Sequence, residues 1–265
     1  MQKGCKNKKI IKSKFECIRN GLTIRGTEYR LEGNNLPIAV ISHGFMANQS
    51  TVMHYAKFLA QLGYAAFCFD FNGGCVVMGK SDGKTTDMSV LTEVCDLCAV
   101  IEYTQGLSYT NSENILLMGC SQGGFVSALT AAQLKKRISK LVLFYPAFCI
   151  PDDARSGKMM WAKFDPKSIP EIVKCGPMKL GRCYIADVIE MNPYEAIKGY
   201  EGDVLIVHGT ADKIVNIKYA NQAVEVYRNE GCERNVSYQI IENGAHFFSK
   251  KHDRIAMGYL EEFVN

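Results

Sequence analysis

The sequence predicts a doubly wound α/β fold, with a mostly parallel central sheet and helices on both faces. Two patterns carry this. Short continuous apolar runs bounded by turn residues read as buried parallel strands, and amphipathic segments of helical period alternate with them. A length of 265 residues with 47% hydrophobic content allows one large core.

The first fourteen residues carry six lysines and no acid, and read as a flexible basic tail over residues 1–14. Phe15 to Arg19 and Leu22 to Leu31 then alternate like two half-exposed strands, with Asn20-Gly21 as the turn of an antiparallel edge hairpin. Ile38 to Ser42, Ala65 to Asp70, Ile115 to Cys120, Leu141 to Tyr145 and Val204 to His208 follow as buried strands, and Val236 to Glu242 as the last. The helical segments between them are Val52 to Leu62, Met88 to Tyr103, Gly123 to Lys136 and Tyr219 to Asn229, with Tyr259 to Val264 closing the chain. From about Pro151 to Lys198 the alternation breaks, in a stretch rich in Pro, Gly, Lys and Met with no clear strand. So long an interval inside an α/β unit fits an inserted lid. The expected plan is a core of residues 15–150 and 199–265 with a lid or cap over 151–198.

Composition narrows the function classes. The formal charge is +4, of which the six tail lysines account for +6, so the rest of the chain sums to 4 − 6 = −2. That balance gives no support to a nucleic-acid partner. No run of about 18 apolar residues and no apolar leader is present, so neither a membrane span nor a signal peptide is expected and the location reads as cytoplasmic. Eleven cysteines is an odd number, and Cys68, Cys120 and Cys149 lie inside apolar runs, so they read as reduced packing residues. Cys95 and Cys98 form a CxxC inside a helical pattern without a second pair or a histidine at ligand spacing, which argues against a metal.

Ile115 to Gly124 carries the chemistry. A strand runs into Gly119-Cys120-Ser121-Gln122-Gly123, and a helix-compatible stretch follows at once. This is the context of a nucleophile elbow, where a strained turn thrusts the serine Oγ outward and its neighbours at 119 and 123 must lack a Cβ. A serine hydroxyl needs a base, and the base needs a carboxylate to hold its tautomer. His246 lies in a turn after the last predicted strand, and Asp212 in the loop after the penultimate one, giving the order Ser, Asp, His. Ser121, His246 and Asp212 are therefore expected to be nucleophile, base and orienting carboxylate. His43-Gly44-Phe45 ends a strand, so the Phe45 amide is expected to join that of Gln122 in an oxyanion hole. The other histidines read as scaffold: His54 exposed on a helix, His252 opening the last helix, His208 packed beneath the Asp212 loop.

A rival motif is Gly74-Cys75-Val76-Val77-Met78-Gly79-Lys80-Ser81, which matches a P-loop letter for letter. A phosphate cradle needs a helix starting at the Lys-Ser pair. Here Ser81-Asp82-Gly83 follows and the next helical pattern starts near Asp87, so nucleotide binding is only a remote alternative.

His43-Gly44-Phe45, Asp70-Phe71-Asn72-Gly73, Ser81-Asp82-Gly83-Lys84, Gly119 to Gly124, His208-Gly209-Thr210-Ala211-Asp212 and Gly244-Ala245-His246, taken together, resemble the bacterial cinnamoyl (feruloyl) esterase branch of the α/β-hydrolases. The resemblance runs from about residue 20 to the end. Within 151–198 it includes Asp152-Asp153-Ala154, Lys163-Phe164-Asp165-Pro166 and Leu180-Gly181-Arg182-Cys183-Tyr184. It implies an inserted subdomain over Ser121, with Asp153 and Tyr184 binding the phenolic end of hydroxycinnamate esters. Cys120 stands where that family usually has His, the Gly73-to-Gly79 loop is longer, and Met160 replaces a polar residue. The expected activity is ester hydrolysis through an acyl-enzyme, without metal or organic cofactor. Hydroxycinnamate esters are the expected substrates, a short-chain carboxylesterase or monoacylglycerol-type lipase is the alternative, and a homodimer is left open.

Overall fold

The computed structural model describes residues 9–229 and 235–265. An edge hairpin, β1 (Ile11–Arg19) and β2 (Leu22–Arg30), turns through Asn20 and Gly21, both at positive φ. There follow β3 (Leu36–Ser42), α1 (Met53–Gln61), β4 (Ala65–Asp70), α2 (Val90–Gln105), β5 (Thr110–Cys120), α3 (Gln122–Leu134) and β6 (Lys140–Phe144). Outside the main sheet lie α4 (Ile150–Arg155), β7 (Lys158–Met159), β8 (Ala162–Lys163), β9 (Ile172–Cys175), β10 (Met178–Gly181), α5 (Arg182–Ile189) and α6 (Pro193–Ala196). The core resumes with β11 (Asp203–Gly209), α7 (Lys218–Asn229), β12 (Val236–Ile241) and α8 (Lys250–Val264).

The eight-stranded sheet runs β1-β2-β4-β3-β5-β6-β11-β12. Pairing is antiparallel from β1 to β4 and parallel from β4 onward. Buried side chains alternate between two cores. Ile38, Val40, Ile115 and Leu117 pack with α2, α3 and α7, while Ala39, Ile41, Leu116 and Met118 pack with α1 and α8. Both sheet faces are thus dry, which is why these strands read as unbroken apolar runs.

Three expectations change. Strand β1 starts at Ile11, inside the expected 1–14 tail, and residues 1–8 lie outside the described part. The 151–198 interval contains two small hairpins, β7-β8 and β9-β10, whose strands of two to four residues are too short to show a period. The closing helix begins at Lys250, two residues before His252 and well before the periodic stretch from Tyr259, capped by Ser249, whose side chain accepts from the His252 amide. Its first turns are polar because that face is solvated. No described helix is long and apolar enough to cross a membrane.

Candidate active site

Ser121 sits between β5 and α3 at φ 55° and ψ −121°, a strained conformation for a residue with a Cβ. Close approach explains its glycines: a Cβ on Gly119 would lie 2.1 Å from the Gly123 carbonyl oxygen, and one on Gly123 would lie 2.3 Å from that of His43. The turn therefore packs strand against helix and against the end of β3.

His246 Nε2 lies 2.9 Å from Ser121 Oγ, and His246 Nδ1 lies 2.8 Å from Asp212 Oδ2. The three side chains come from loops after β5, β11 and β12 and meet at the carboxyl edge of the sheet. Ser121 is 8% exposed and His246 4% exposed, so Oγ faces a cleft that water reaches only narrowly. Asp212 Oδ1 accepts from the amides of Ile214 and Val215, both at 2.9 Å. Burial pushes the Asp212 carboxyl up, but hydrogen bonds from His208 and His246 and the Val215 amide outweigh it and hold it well below the usual carboxylate range.

Phe45 and Gln122 flank the cleft beside Ser121. Among the described residues, the turn and loop backbone bonds leave both amides unused, and Gln122 opens α3, where helix amides point outward without intrahelical partners. His43 supports this turn: its Nδ1 meets the Gly44 carbonyl at 2.8 Å, and its Nε2 accepts from the Phe71 amide at 3.2 Å. These partners set a neutral imidazole, and burial lowers its pKa. His43, Asp70 and Cys75 form the one cluster of metal-ligand chemistry among the described residues. Both His43 nitrogens are already engaged, and the Asp70 carboxylate accepts from the amides of Gln49 and Lys80, so the cluster reads as a structural bracket.

Two pockets share Ser121. The first, about 40 Å³, is lined by Phe45, Gln122, Cys149, Asp153, Met159 and Tyr184, with Met160 and Ile214 at its edge. Asp153 and Tyr184 thus reach the cleft. Tyr184, however, is buried and donates its hydroxyl to the Gln122 side-chain oxygen. Gln122 in turn donates from Nε2 to Glu93 Oε2 at 2.8 Å. Burial pushes the Glu93 carboxyl well above its usual range, with the Gln122 bond pulling the other way. Burial also raises the Asp153 carboxyl, against a hydrogen bond with the Cys149 thiol.

The second pocket, about 230 Å³, also reaches Ser121 and is walled by residues of α1 and α8. Sequence reasoning missed it, because its walls come from four distant segments. It also missed one neighbour of the site, Glu93. His208 is the packed, hydrogen-bonded residue expected beneath the Asp212 loop, and it contacts Asp212 directly at 3.2 Å. Glu93 had a visible signal, since it is a charged residue on the apolar face of α2 that also carries Val90, Leu97 and Val100. His54, expected to be exposed, is half-buried and lies 3.3 Å from Asp253.

The P-loop match fails in the fold. The Lys80 amide donates to Asp70 Oδ2 at 2.9 Å and the Asp82 amide to the Thr23 carbonyl at 3.0 Å, so amides a phosphate would need are spent on the sheet edge. No helix starts at Lys80 or Ser81. All nine described cysteines are free, Cys95 and Cys98 among them.

The family described as serine aminopeptidase, S33, matches residues 34–183, more than half of the chain. A search of curated proteins gives no match. Among solved structures, Est1E from Butyrivibrio proteoclasticus with ferulic acid bound is 25% identical, with a TM-score of 0.83 over 94% of this chain and 97% of its own. The Pyrococcus furiosus esterase Pf2001 is 18% identical, with a TM-score of 0.72 over 96% and 92% of the two chains. Mouse α/β hydrolase domain-containing protein 10 is 16% identical, with a TM-score of 0.73 over 95% and 98%. The last two likenesses show the fold alone.

Proposed function

Because the chain belongs to the serine aminopeptidase S33 family and has the α/β-hydrolase fold, we propose that it is a serine hydrolase of carboxylic esters that works through an acyl-enzyme. The observation that carries this reading is the continuous contact Ser121 Oγ to His246 Nε2 (2.9 Å) and His246 Nδ1 to Asp212 Oδ2 (2.8 Å). In it, Ser121 attacks the ester carbonyl carbon while His246 takes the hydroxyl proton. Asp212 holds the imidazole in the tautomer that can accept at Nε2 and stabilises the imidazolium. The amides of Phe45 and Gln122 receive the oxyanion, each such donor being worth about 3 to 4 kcal/mol in the transition state. Collapse expels the alcohol, which leaves with the proton from His246. Water activated by the same base then releases the acid.

For the acyl side, we read the cleft beside Asp153 as the closed form of a hydroxycinnamoyl slot: at about 40 Å³ it is smaller than the ~150 Å³ that takes a benzene ring, so the 151–198 segment must shift to admit the group. Asp153 at its wall supports recognition of a phenolic hydroxyl, and the likeness to the ferulic-acid complex points the same way. Tyr184 acts here by holding Gln122, and it also lines the slot. One observation favours aliphatic acyl groups instead: Cys149, Ile150, Met159 and Met160 give the slot soft, adaptable walls.

The test is a substrate panel: methyl ferulate, p-nitrophenyl acetate, p-nitrophenyl butyrate and an aminoacyl p-nitroanilide, run on wild type and Ser121→Ala. Expected are turnover of the esters, none of the anilide, methyl ferulate leading by kcat/KM, and no ester turnover above background in the variant. A fluorophosphonate should label wild type and leave Ser121→Ala unlabelled. Anilide turnover without ester turnover overturns the ester reading.

A further inference from the structure

Eleven large apolar side chains stand exposed among the described residues, and six of them gather around the mouth of the site. Met160 and Ile214 edge the slot beside Ser121, and Phe247, 69% exposed, edges the second pocket, which shares that serine. Trp161, 65% exposed, follows Met160 in the turn between β7 and β8. Val77 and Met78, the latter 78% exposed, stand on a loop tied to the same mouth: the Val77 carbonyl accepts from Asn48 Nδ2, and Cys75 bridges to Met46 beside Phe45. The other five lie singly on β1, α2, β9, β12 and α8, as scattered apolar residues do on any surface.

These tips are held in place. Met78 and Met160 sit at φ 60° and 50°, a strained backbone for a residue with a Cβ. The Trp161 ring rests on the turn between β9 and β10, where a Cβ on Gly176 would lie 2.8 Å from it. Charge follows the same rim. Segments 74–80, 157–163, 213–215 and 245–251 carry the exposed Lys80, Lys158, Lys163, Lys213, Lys250 and Lys251 and no acid. Of the acids that border them, Asp82 pairs with Arg25, Asp152 with Arg155 and Glu171 with Arg182. A positive rim therefore stands on a chain whose charge beyond its first fourteen residues is −2.

Apolar tips interleaved with lysines match the two layers of an anionic bilayer surface: aromatic and thioether groups enter the boundary of the acyl chains, and ammonium groups meet the headgroups. Each such lysine strengthens partitioning roughly fivefold. A protein partner fits less well, because lysine is depleted where proteins pack together, and a protein seated here would cover the opening to Ser121. A second copy would set lysine against lysine. We propose that the rim formed by Met78, Met160, Trp161, Ile214 and Phe247 docks this protein on anionic lipid surfaces, with the cleft turned toward the lipid. Apolar esters dissolved in the bilayer then reach Ser121 from the membrane side. The docking surface goes beyond the ester-hydrolase reading and stands on exposure and charge, independently of the reaction.

Trp161 is the chain's single tryptophan, so its emission reports on this tip alone. The experiment mixes the full chain with vesicles of phosphatidylcholine, or of phosphatidylcholine with about one-third phosphatidylserine, and reads cosedimentation and Trp161 emission at low and high salt. Expected are cosedimentation and a blue-shifted emission with the anionic vesicles, both weak on phosphatidylcholine alone and both reduced by salt. Lys158→Gln with Lys163→Gln should lower the partition coefficient roughly 25-fold. Trp161→Ala and Met78→Ser should each lower it roughly fivefold. Met78 is exposed, so its variant keeps the test open even where Trp161→Ala loosens the contact with Gly176. Protein that stays in the supernatant overturns the proposal. So does cosedimentation with unmoved emission and indifference to these variants, which assigns binding to the lysines of the first fourteen residues. Self-association in sedimentation velocity, lost in Trp161→Ala, also overturns it in favour of a second copy. Neither readout uses an ester, so failure here leaves the esterase reading standing, and absence of ester turnover leaves the docking surface standing.

Discussion

His208 Nε2 lies 3.2 Å from Asp212 Oδ2, the same oxygen that His246 Nδ1 meets at 2.8 Å. One carboxylate oxygen thus serves two imidazoles. His208 Nε2 also meets the Val215 carbonyl at 3.0 Å, so that nitrogen carries the hydrogen and shares it between two acceptors. With the amides of Ile214 and Val215 on the other oxygen, Asp212 has a single orientation available.

That arrangement makes His208 a positioning residue. His208→Ala should lower kcat by about 10-fold to 100-fold with KM little changed, the usual cost of losing a partner that orients a working ligand. His208→Gln, which can place an N–H on the same oxygen, should recover part of the loss. The check is steady-state kinetics beside a melting curve; full kcat in the alanine variant would remove His208 from the positioning role.

Asp212→Asn should keep the fold and lower kcat by about 10⁴-fold, because an amide in that position favours the wrong imidazole tautomer. In wild type the depressed Asp212 value means its carboxylate persists as pH falls through the ordinary ~3.9 and is lost only further down. Its contribution to stability is therefore present above that ordinary value and disappears as pH drops through the folded-state value. An acid limb of kcat/KM above pH 5 must then belong to another group, and acid unfolding of the variant should lose the corresponding step.

Glu93 has the opposite sign. Its folded-state carboxyl binds a proton more tightly than in the unfolded chain, so stability falls as pH rises from the ordinary ~4.3 toward the raised value. The slope is up to about 1.4 kcal/mol per pH unit in that window. Glu93→Gln can still accept from Gln122 and carries no charge. Its melting temperature should fall less steeply than that of wild type as pH rises above the ordinary ~4.3. A parallel decline in both proteins would count against a protonated Glu93.

Gly123→Ala places a Cβ 2.3 Å from the His43 carbonyl oxygen, a backbone atom that cannot step aside cheaply. Expected is a loss of more than about 3 kcal/mol in urea unfolding. Whatever fraction folds should show poor esterase activity, because the His43-Gly44 turn carries the Phe45 amide. Near wild-type stability would mean that the elbow and the end of β3 are less tightly joined than their contacts require.

ATP with Mg²⁺ should produce no binding heat and no shift in melting temperature. The Lys80 and Asp82 amides are committed to Asp70 and Thr23. Saturable heat at micromolar nucleotide would reopen the Gly74-to-Ser81 motif.

Much of this was legible in the linear chain, for reasons that can be named. Strands such as Ala65–Asp70 are buried on both faces, so they stand out as unbroken apolar runs. The elbow is legible because its glycines answer to local backbone crowding, which leaves a fixed spacing around Ser121. His246 and Asp212 could be chosen because each follows a recognisable strand, and their order along the chain matches one known arrangement of the triad. The 151–198 segment was legible only as an interruption. Its strands are two to four residues long, and they owe their pairing to packing against the rest of the molecule.

By itself, the sequence determined the doubly wound sheet, the serine turn and the two loops that face it, since each rests on local sterics or on a periodicity of two or 3.6 residues. Only the tertiary structure decided how far apart Ser121, His246 and Asp212 lie, that His208 shares the carboxylate, that Glu93 underlies Gln122, and that a second pocket opens beside Tyr145. Apart from His208 and Asp212, which are four positions apart, those are contacts between residues 29 to 125 positions apart, or the shape of a space bounded by several segments. The physical reason is that distances across a fold are set by the sum of all packing, which no local pattern encodes.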